Sequence, residues 1–266
     1  MKKTKIDRSI DTEALGFQVR ESYKTARTNI AYSIFKKGCK KVAFTSSTKG
    51  EGKTVTSINV ASALAQQVGT KVIVVECDLR RPRVNTALKI SPTPGITNYL
   101  NEECSLKEVT KDTKIENLKA ITYGAIPPNP SELLASEAMA ELIKTLEKDY
   151  DYIIFDTPPI GVVIDALPIM KASDGVVIVA RNNSTTYPEL ERTVEVIKRT
   201  DAKILGVILN RVKPHETRKG KGYYSRYGGY YKTENKRLIT SRLRKHKLTG
   251  SSCPRRGKWN PQKAKV

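Results

Sequence analysis

The chain has 266 residues, 38% of them hydrophobic and 28% charged, with four cysteines; this excludes wholesale disorder, a collagen-like repeat and a disulfide scaffold, and fits one large domain better than two. A formal charge of +21 would by itself suggest nucleic acid or an anionic membrane as partner. However, residues 1–210 hold 30 basic and 25 acidic side chains, whereas residues 211–266 hold 18 basic and two acidic ones, so the expectation is a near-neutral body with a basic appendage and no nucleic-acid partner.

Residues 1–15 are read as an N-terminal extension. Lys2, Lys3 and Lys5 precede Asp7, Asp11 and Glu13 with no apolar segment between them, so no secretory leader is expected. No run approaches the roughly 18 to 20 apolar residues of a membrane span, and the cytoplasm is the expected compartment. The cysteines at 39, 77, 104 and 253 show no C-x-x-C spacing and are expected to be reduced thiols outside any metal cluster.

Residues 16–212 alternate helical and strand patterns. Helices are expected over 18–35, 54–67, 136–148 and 187–200. Strands are expected over 41–46, 71–76, 118–122, 152–156, 175–180 and 204–210. The strand runs are apolar on successive residues, as in VIVVE and YIIFD, which marks strands buried on both faces of a parallel sheet. Helices must cover both faces, so the class is α/β with a doubly wound, mostly parallel sheet. Beyond it, residues 213–231 interleave glycine with tyrosine, and residues 232–266 hold 12 basic residues against one acidic one; both segments are expected to be a disordered tail.

Three strand ends carry the chemistry. After the first strand comes S-S-T-K-G-E-G-K-T, Ser46 to Thr54, a phosphate loop opening a helix. Thr48, Lys49, Gly50, Glu51 and Gly52 would present backbone N–H groups, Lys53 would reach the β- and γ-phosphates, and the Thr54 hydroxyl would ligate Mg²⁺. Ser47 stands where the strict pattern has glycine. The second strand ends V-V-E-C-D-L-R-R-P, bringing Glu76 and Asp78 to the carboxyl edge where doubly wound folds bind ligands; one is expected near Mg²⁺ and one near an incoming hydroxyl. D-Y-I-I-F-D-T-P-P, Asp151 to Pro159, delivers Asp156 to the same edge in the Walker B manner, to hold Mg²⁺ through water. Asn210 ends the last strand, placed either to read an adenine edge or to form a turn.

These motifs, with I-P-P-N-P-S-E-L-L (Ile126 to Leu134), I-L-N-R-V (Ile208 to Val212) and the tyrosine cluster, resemble the bacterial protein-tyrosine kinases of the capsular exopolysaccharide family, which are P-loop proteins related to the MinD and ParA ATPases. The resemblance covers about residues 15–231. It implies ATP and Mg²⁺ as cofactors and catalytic roles for Lys53, Glu76, Asp78 and Asp156, with Thr54, Glu76 and Asp156 at the metal. It implies autophosphorylation in trans of Tyr223, Tyr224, Tyr227, Tyr230 and Tyr231. It implies control of capsule or exopolysaccharide synthesis and recruitment to the inner face of the membrane by a transmembrane polysaccharide co-polymerase adaptor. A cognate phosphotyrosine phosphatase is implied as well. E-S-Y-K-T-A-R, Glu21 to Arg27, is similar to the family's E-x-x-R-x-x-R helix; its spacing aligns Glu21, Lys24 and Arg27 on one face, implying a ring of copies.

Three positions depart from the family pattern. Glu76 stands for the usual aspartate, Lys49 for proline, and Lys24 for the first arginine, which removes a bidentate fork. Because Glu76 is one methylene longer, altered activity is expected. A switch of the MinD or ParA kind, with a basic tail docking onto membrane or DNA, is the alternative reading. A weak ATP-binding adaptor is a third.

Overall fold

The computed structural model describes residues 16–212, which fall within one compact unit. They form, in chain order, α1 (Phe17–Ser33), β1 (Lys40–Ser46), α2 (Lys53–Ala65), β2 (Val72–Glu76), α3 (Val84–Leu88), α4 (Ile96–Leu100), α5 (Leu106–Val109), β3 (Thr110–Asp112), β4 (Leu118–Ile121), α6 (Pro130–Leu134), α7 (Glu137–Asp149), β5 (Tyr152–Asp156), α8 (Leu167–Ala172), β6 (Gly175–Arg181), α9 (Tyr187–Lys198) and β7 (Ile204–Asn210). The strands make one sheet in the order β3-β4-β2-β5-β1-β6-β7. Every pairing is parallel except that of β3 with β4.

Period-two alternation of apolar residues builds a core on each face of this sheet. Val72 and Val74 of β2, with Tyr152 and Ile154 of β5, pack with α1, α2 and α3 residues such as Ile30, Ile58, Leu64 and Val84. Ile73, Val75, Ile153 and Phe155 point the other way, onto Met139, Leu142 and Leu146 of α7. Both faces are therefore dry, and a fully buried Val, Ile or Phe contributes about 1.5–3 kcal/mol of transfer free energy.

The six expected strands and four expected helices all form, with ends shifted by a few residues. The antiparallel edge strand β3 and the five short helices were not expected. Thr110, Lys111 and Asp112 carry no apolar run, and helices of four to six residues show too few turns for a period.

The topology positions the site. The chain runs from β1 outward to β2 and β4, returns to insert β5 between β2 and β1, then leaves on the other side through β6. The carboxyl end of β1 is thus the place where the winding reverses, and a crevice opens beside such a reversal.

Candidate active site

Ser46 ends β1 and Lys53 begins α2, so Ser47–Gly52 form the loop between them. Gly52 caps α2 in the left-handed region (φ 92°), which favours glycine; a Cβ there would also displace the Asn210 side-chain amide, whose Nδ2 it would meet at 2.2 Å. Ser47 is under no such demand. It is absent from the positive-φ residues, and its Oγ accepts a 2.8 Å hydrogen bond from the Thr193 hydroxyl of α9. The departure from the strict glycine pattern therefore needs no backbone strain and adds a tie to a neighbouring helix.

Beside the loop stand the acids. Strands β2 and β5 are neighbours with Glu76 opposite Asp156 in register. Lys53 reaches back across them: its Nζ lies 2.7 Å from Asp78 Oδ2 and 4.0 Å from Asp156 Oδ1. The Ser57 hydroxyl, one turn along α2, donates to Asp156 Oδ1 at 3.4 Å. Glu76 Oε2 accepts the N–H groups of Arg83 and Val84 at 2.8 and 2.7 Å. Glu76 Oε1 and Asp156 Oδ2 are buried and have no hydrogen-bond partner.

Burial drives the protonation of these groups. It pushes Glu76 well above the usual carboxylate range, the Asp156 charge adds to the rise, and the Val84 amide and Lys53 offset only part of it. Burial likewise raises Asp156, against the pull of Lys53 and Thr54. Lys53 is pulled down by burial, but the Asp156 and Asp78 carboxylates outweigh that and leave it raised. Two orphaned carboxylate oxygens beside one ammonium are an incomplete set, and a divalent cation with oxygen preference fits it. No group of three or more His, Cys, Asp or Glu able to hold a metal occurs among the described residues. Mg²⁺ is held through one or two carboxylates and completes its shell from phosphates and water, and the unpartnered Glu76 and Asp156 oxygens are what would supply them.

The model of an AAA domain family matches residues 39–207. Tyrosine-protein kinase YwqD of Bacillus subtilis (strain 168) is 38% identical over 215 residues, 81% of this chain and 87% of that protein. This chain belongs to the bacterial tyrosine-protein kinase family. Tyrosine-protein kinase CpsD of Streptococcus agalactiae is 35% identical over 221 residues, covering 83% of this kinase and 93% of that one. Among solved structures, the kinase domain of Escherichia coli tyrosine kinase ETK superposes with a TM-score of 0.70 at 27% identity, covering 77% and 83% of the two chains. The chimerical protein CapA2B2 superposes at 0.69 with 35% identity, covering 72% and 84%. The cell division ATPase MinD of Pyrococcus furiosus, at 0.56 and 23% identity, shares the fold.

The other residues singled out in the sequence of this kinase take varied places. Lys49 and Gly50 are exposed at the loop tip and Thr54 is half-buried, while Glu51 is buried. Asn210 donates from Nδ2 to the Glu51 carbonyl at 2.9 Å and accepts the Arg211 N–H on Oδ1 at 2.8 Å. The geometry thereby gives Asn210 a brace on the loop that the sequence did not suggest. Glu21 and Lys24 pair with each other at 2.8 Å on the exposed side of α1. Arg27 instead turns onto α2, donating to the Ala63 carbonyl at 3.0 Å. Tyr223, Tyr224, Tyr227, Tyr230 and Tyr231 lie outside the described residues.

Four partners of the site went unread in the sequence: Ser57, Thr185, Thr193 and Asp165. Asp165 is buried, takes a bidentate contact from Arg80 and accepts the Ser131 hydroxyl. It joins the turn after β2, the start of α6 and the turn after β5. Only the fold brings those three segments together, so no spacing in the chain announces them.

Proposed function

We propose that this kinase transfers the γ-phosphoryl group of ATP to tyrosine hydroxyls, foremost Tyr223, Tyr224, Tyr227, Tyr230 and Tyr231 of a neighbouring copy. The observation that supports it best is the Lys53 ammonium lying between Asp78 and Asp156 beside two orphaned carboxylate oxygens. Backbone N–H groups at the start of α2 and Lys53 receive the phosphates. Lys53 exchanges its contact with Asp78 for one with phosphate oxygens, where its charge opposes the charge that grows in transfer. The Thr54 hydroxyl and the carboxylates of Asp156 and Glu76 would hold Mg²⁺, which when bound neutralises charge on the β- and γ-phosphates.

Freed from Lys53, Asp78 is the better placed of the two β2 acids to accept the tyrosine proton. It retains some exposure, and its Oδ1 is oriented by the Arg81 N–H at 3.1 Å. Glu76 is fully buried with Oε2 committed to two amides, so it acts on the metal side.

In this reading the kinase works in capsule or exopolysaccharide synthesis. It is recruited to the inner membrane face and activated by a transmembrane polysaccharide co-polymerase adaptor, assembles as a ring of its own copies, and is opposed by a phosphotyrosine phosphatase. Family membership supports this. Among the described residues no helix is long and apolar enough to cross a membrane.

A mixing experiment tests transfer in trans. Full-length Lys53→Met protein is incubated with Mg·ATP, an adaptor fragment and a wild-type copy whose five cluster tyrosines are phenylalanine. Phosphotyrosine on the Lys53→Met chains is the expected result; unmodified Lys53→Met chains beside an ATP-hydrolysing partner would contradict it.

A further inference from the structure

Glu51 sits in the middle of the phosphate loop and is 1% exposed, a burial that a carboxylate tolerates only with partners. None of the ion pairs described within residues 16–212 includes it; its partners are neutral donors. Oε2 accepts the Thr48 N–H at 2.9 Å, and Oε1 accepts the Thr185 hydroxyl from the connection between β6 and α9. Thr185 is itself fixed, because its Oγ1 accepts the Arg181 N–H at 2.7 Å. The Glu51 carbonyl takes the Asn210 amide at 2.9 Å, and Ser47, at the loop's start, takes the Thr193 hydroxyl at 2.8 Å. The nucleotide loop is therefore held from the β6, α9 and β7 side, away from the acids of β2 and β5.

We propose that Glu51 is a positioning residue that pre-forms the phosphate loop, its carboxylate acting as an internal anion that closes the turn from Thr48 to Glu51 and locks it to Thr185. A loop rich in glycine loses much conformational freedom when it is ordered around phosphate. Gly50 and Gly52 both stand in the left-handed region, at φ 83° and 92°. A charge-assisted hydrogen bond within the loop meets part of that ordering cost before the ligand arrives, so the gain appears in nucleotide affinity. The Thr48 N–H is already used by Glu51, which leaves the phosphates to the amides that follow it. The same carboxylate carries a like charge toward the phosphates, and the ordering effect is the one that dominates in this proposal.

The inference rests on the nucleotide-site reading above, and Mg·ADP binding, followed by calorimetry on the full chain, separates the two. Should the wild type not bind Mg·ADP, that reading fails. If it binds, Glu51→Ala is expected to weaken binding about tenfold, the scale of one lost buried hydrogen bond. Glu51→Gln, which keeps one neutral acceptor and a partner for Thr185 but removes the charge, is expected to fall between wild type and Glu51→Ala. Thr185→Val keeps the test open if Glu51→Ala does not fold, and should weaken binding in the same direction; where Glu51→Ala folds, the double variant should lose less than the sum of the two single losses. In turnover, the loss should fall on the KM for ATP more than on kcat. Unchanged or tighter binding by Glu51→Ala, or additive losses in the double variant, would overturn the proposal.

Discussion

Lys53 is the residue on which the electrostatics of the site converge. It answers Asp78 at 2.7 Å and Asp156 at 4.0 Å, and burial alone would lower its affinity for a proton. Removing it as Lys53→Ala should reduce phosphoryl transfer by about 10²–10³-fold, the usual effect of deleting one preorganised charge donor, measured as the initial rate of phosphotyrosine formation. Glu76 supplies a stability prediction with a definite sign. Its folded-state pKa is raised above the unfolded value, so its contribution is fully present below the unfolded pKa and is lost as pH rises toward the folded one. Near neutral pH without Mg²⁺ the charged form is a liability. Glu76→Gln should accordingly unfold at a higher temperature than wild type there, and the difference should shrink on acidification; equal melting at neutral pH would contradict it. The sequence placed Glu76, Asp78 and Asp156 at one edge because each ends an apolar run. What it did not show is that the extra methylene of Glu76 carries Oε2 to the amides of Arg83 and Val84, since that contact depends on where α3 begins.

The connections matter more than the helices at the scale of elements. Asp165 fastens three of them through Arg80 and Ser131, and the Arg80 contact is the largest cause of its lowered pKa, with burial opposing. A depressed carboxylate contributes stability above its unfolded pKa and loses it as pH falls through the folded value. Wild type should therefore weaken on acidification below the ordinary aspartate range, while Asp165→Asn should start lower and show a flatter acid limb in thermal melts. Helix α7 gives a simpler case. Ser136 caps it by accepting the Met139 N–H at 3.2 Å, and Ser136→Ala should cost about 1 kcal/mol in denaturant unfolding with an unchanged slope. Long elements such as α2, α7 and α9 were readable because many turns repeat one pattern. The edge strand β3 and the short helices were not, because tertiary contacts create them. The loop's own support was hidden for the same reason: Thr185, Thr193 and Asn210 lie more than a hundred residues from Ser47 and Glu51 and meet them only through the order of strands.

Taken whole, the molecule joins a near-neutral kinase body to a strongly basic segment, with 18 of its 48 basic residues after position 210. The body is held by cores on both faces of one sheet, and its central strands tolerate little change in volume. Phe155→Ala, removing a fully buried ring, should cost about 3–5 kcal/mol and be visible as a large fall in the unfolding midpoint. The basic segment carries the proposed acceptors, so each phosphate added there would remove charge from the region and weaken its attraction to anionic surfaces. The most direct measurement is a phosphate map of the full chain by mass spectrometry after incubation with Mg·ATP and the adaptor fragment, with Lys53→Ala as control. The account predicts phosphotyrosine at residues 223–231 in wild type and none in the variant. Intact ATP hydrolysis without phosphotyrosine in that segment would contradict it.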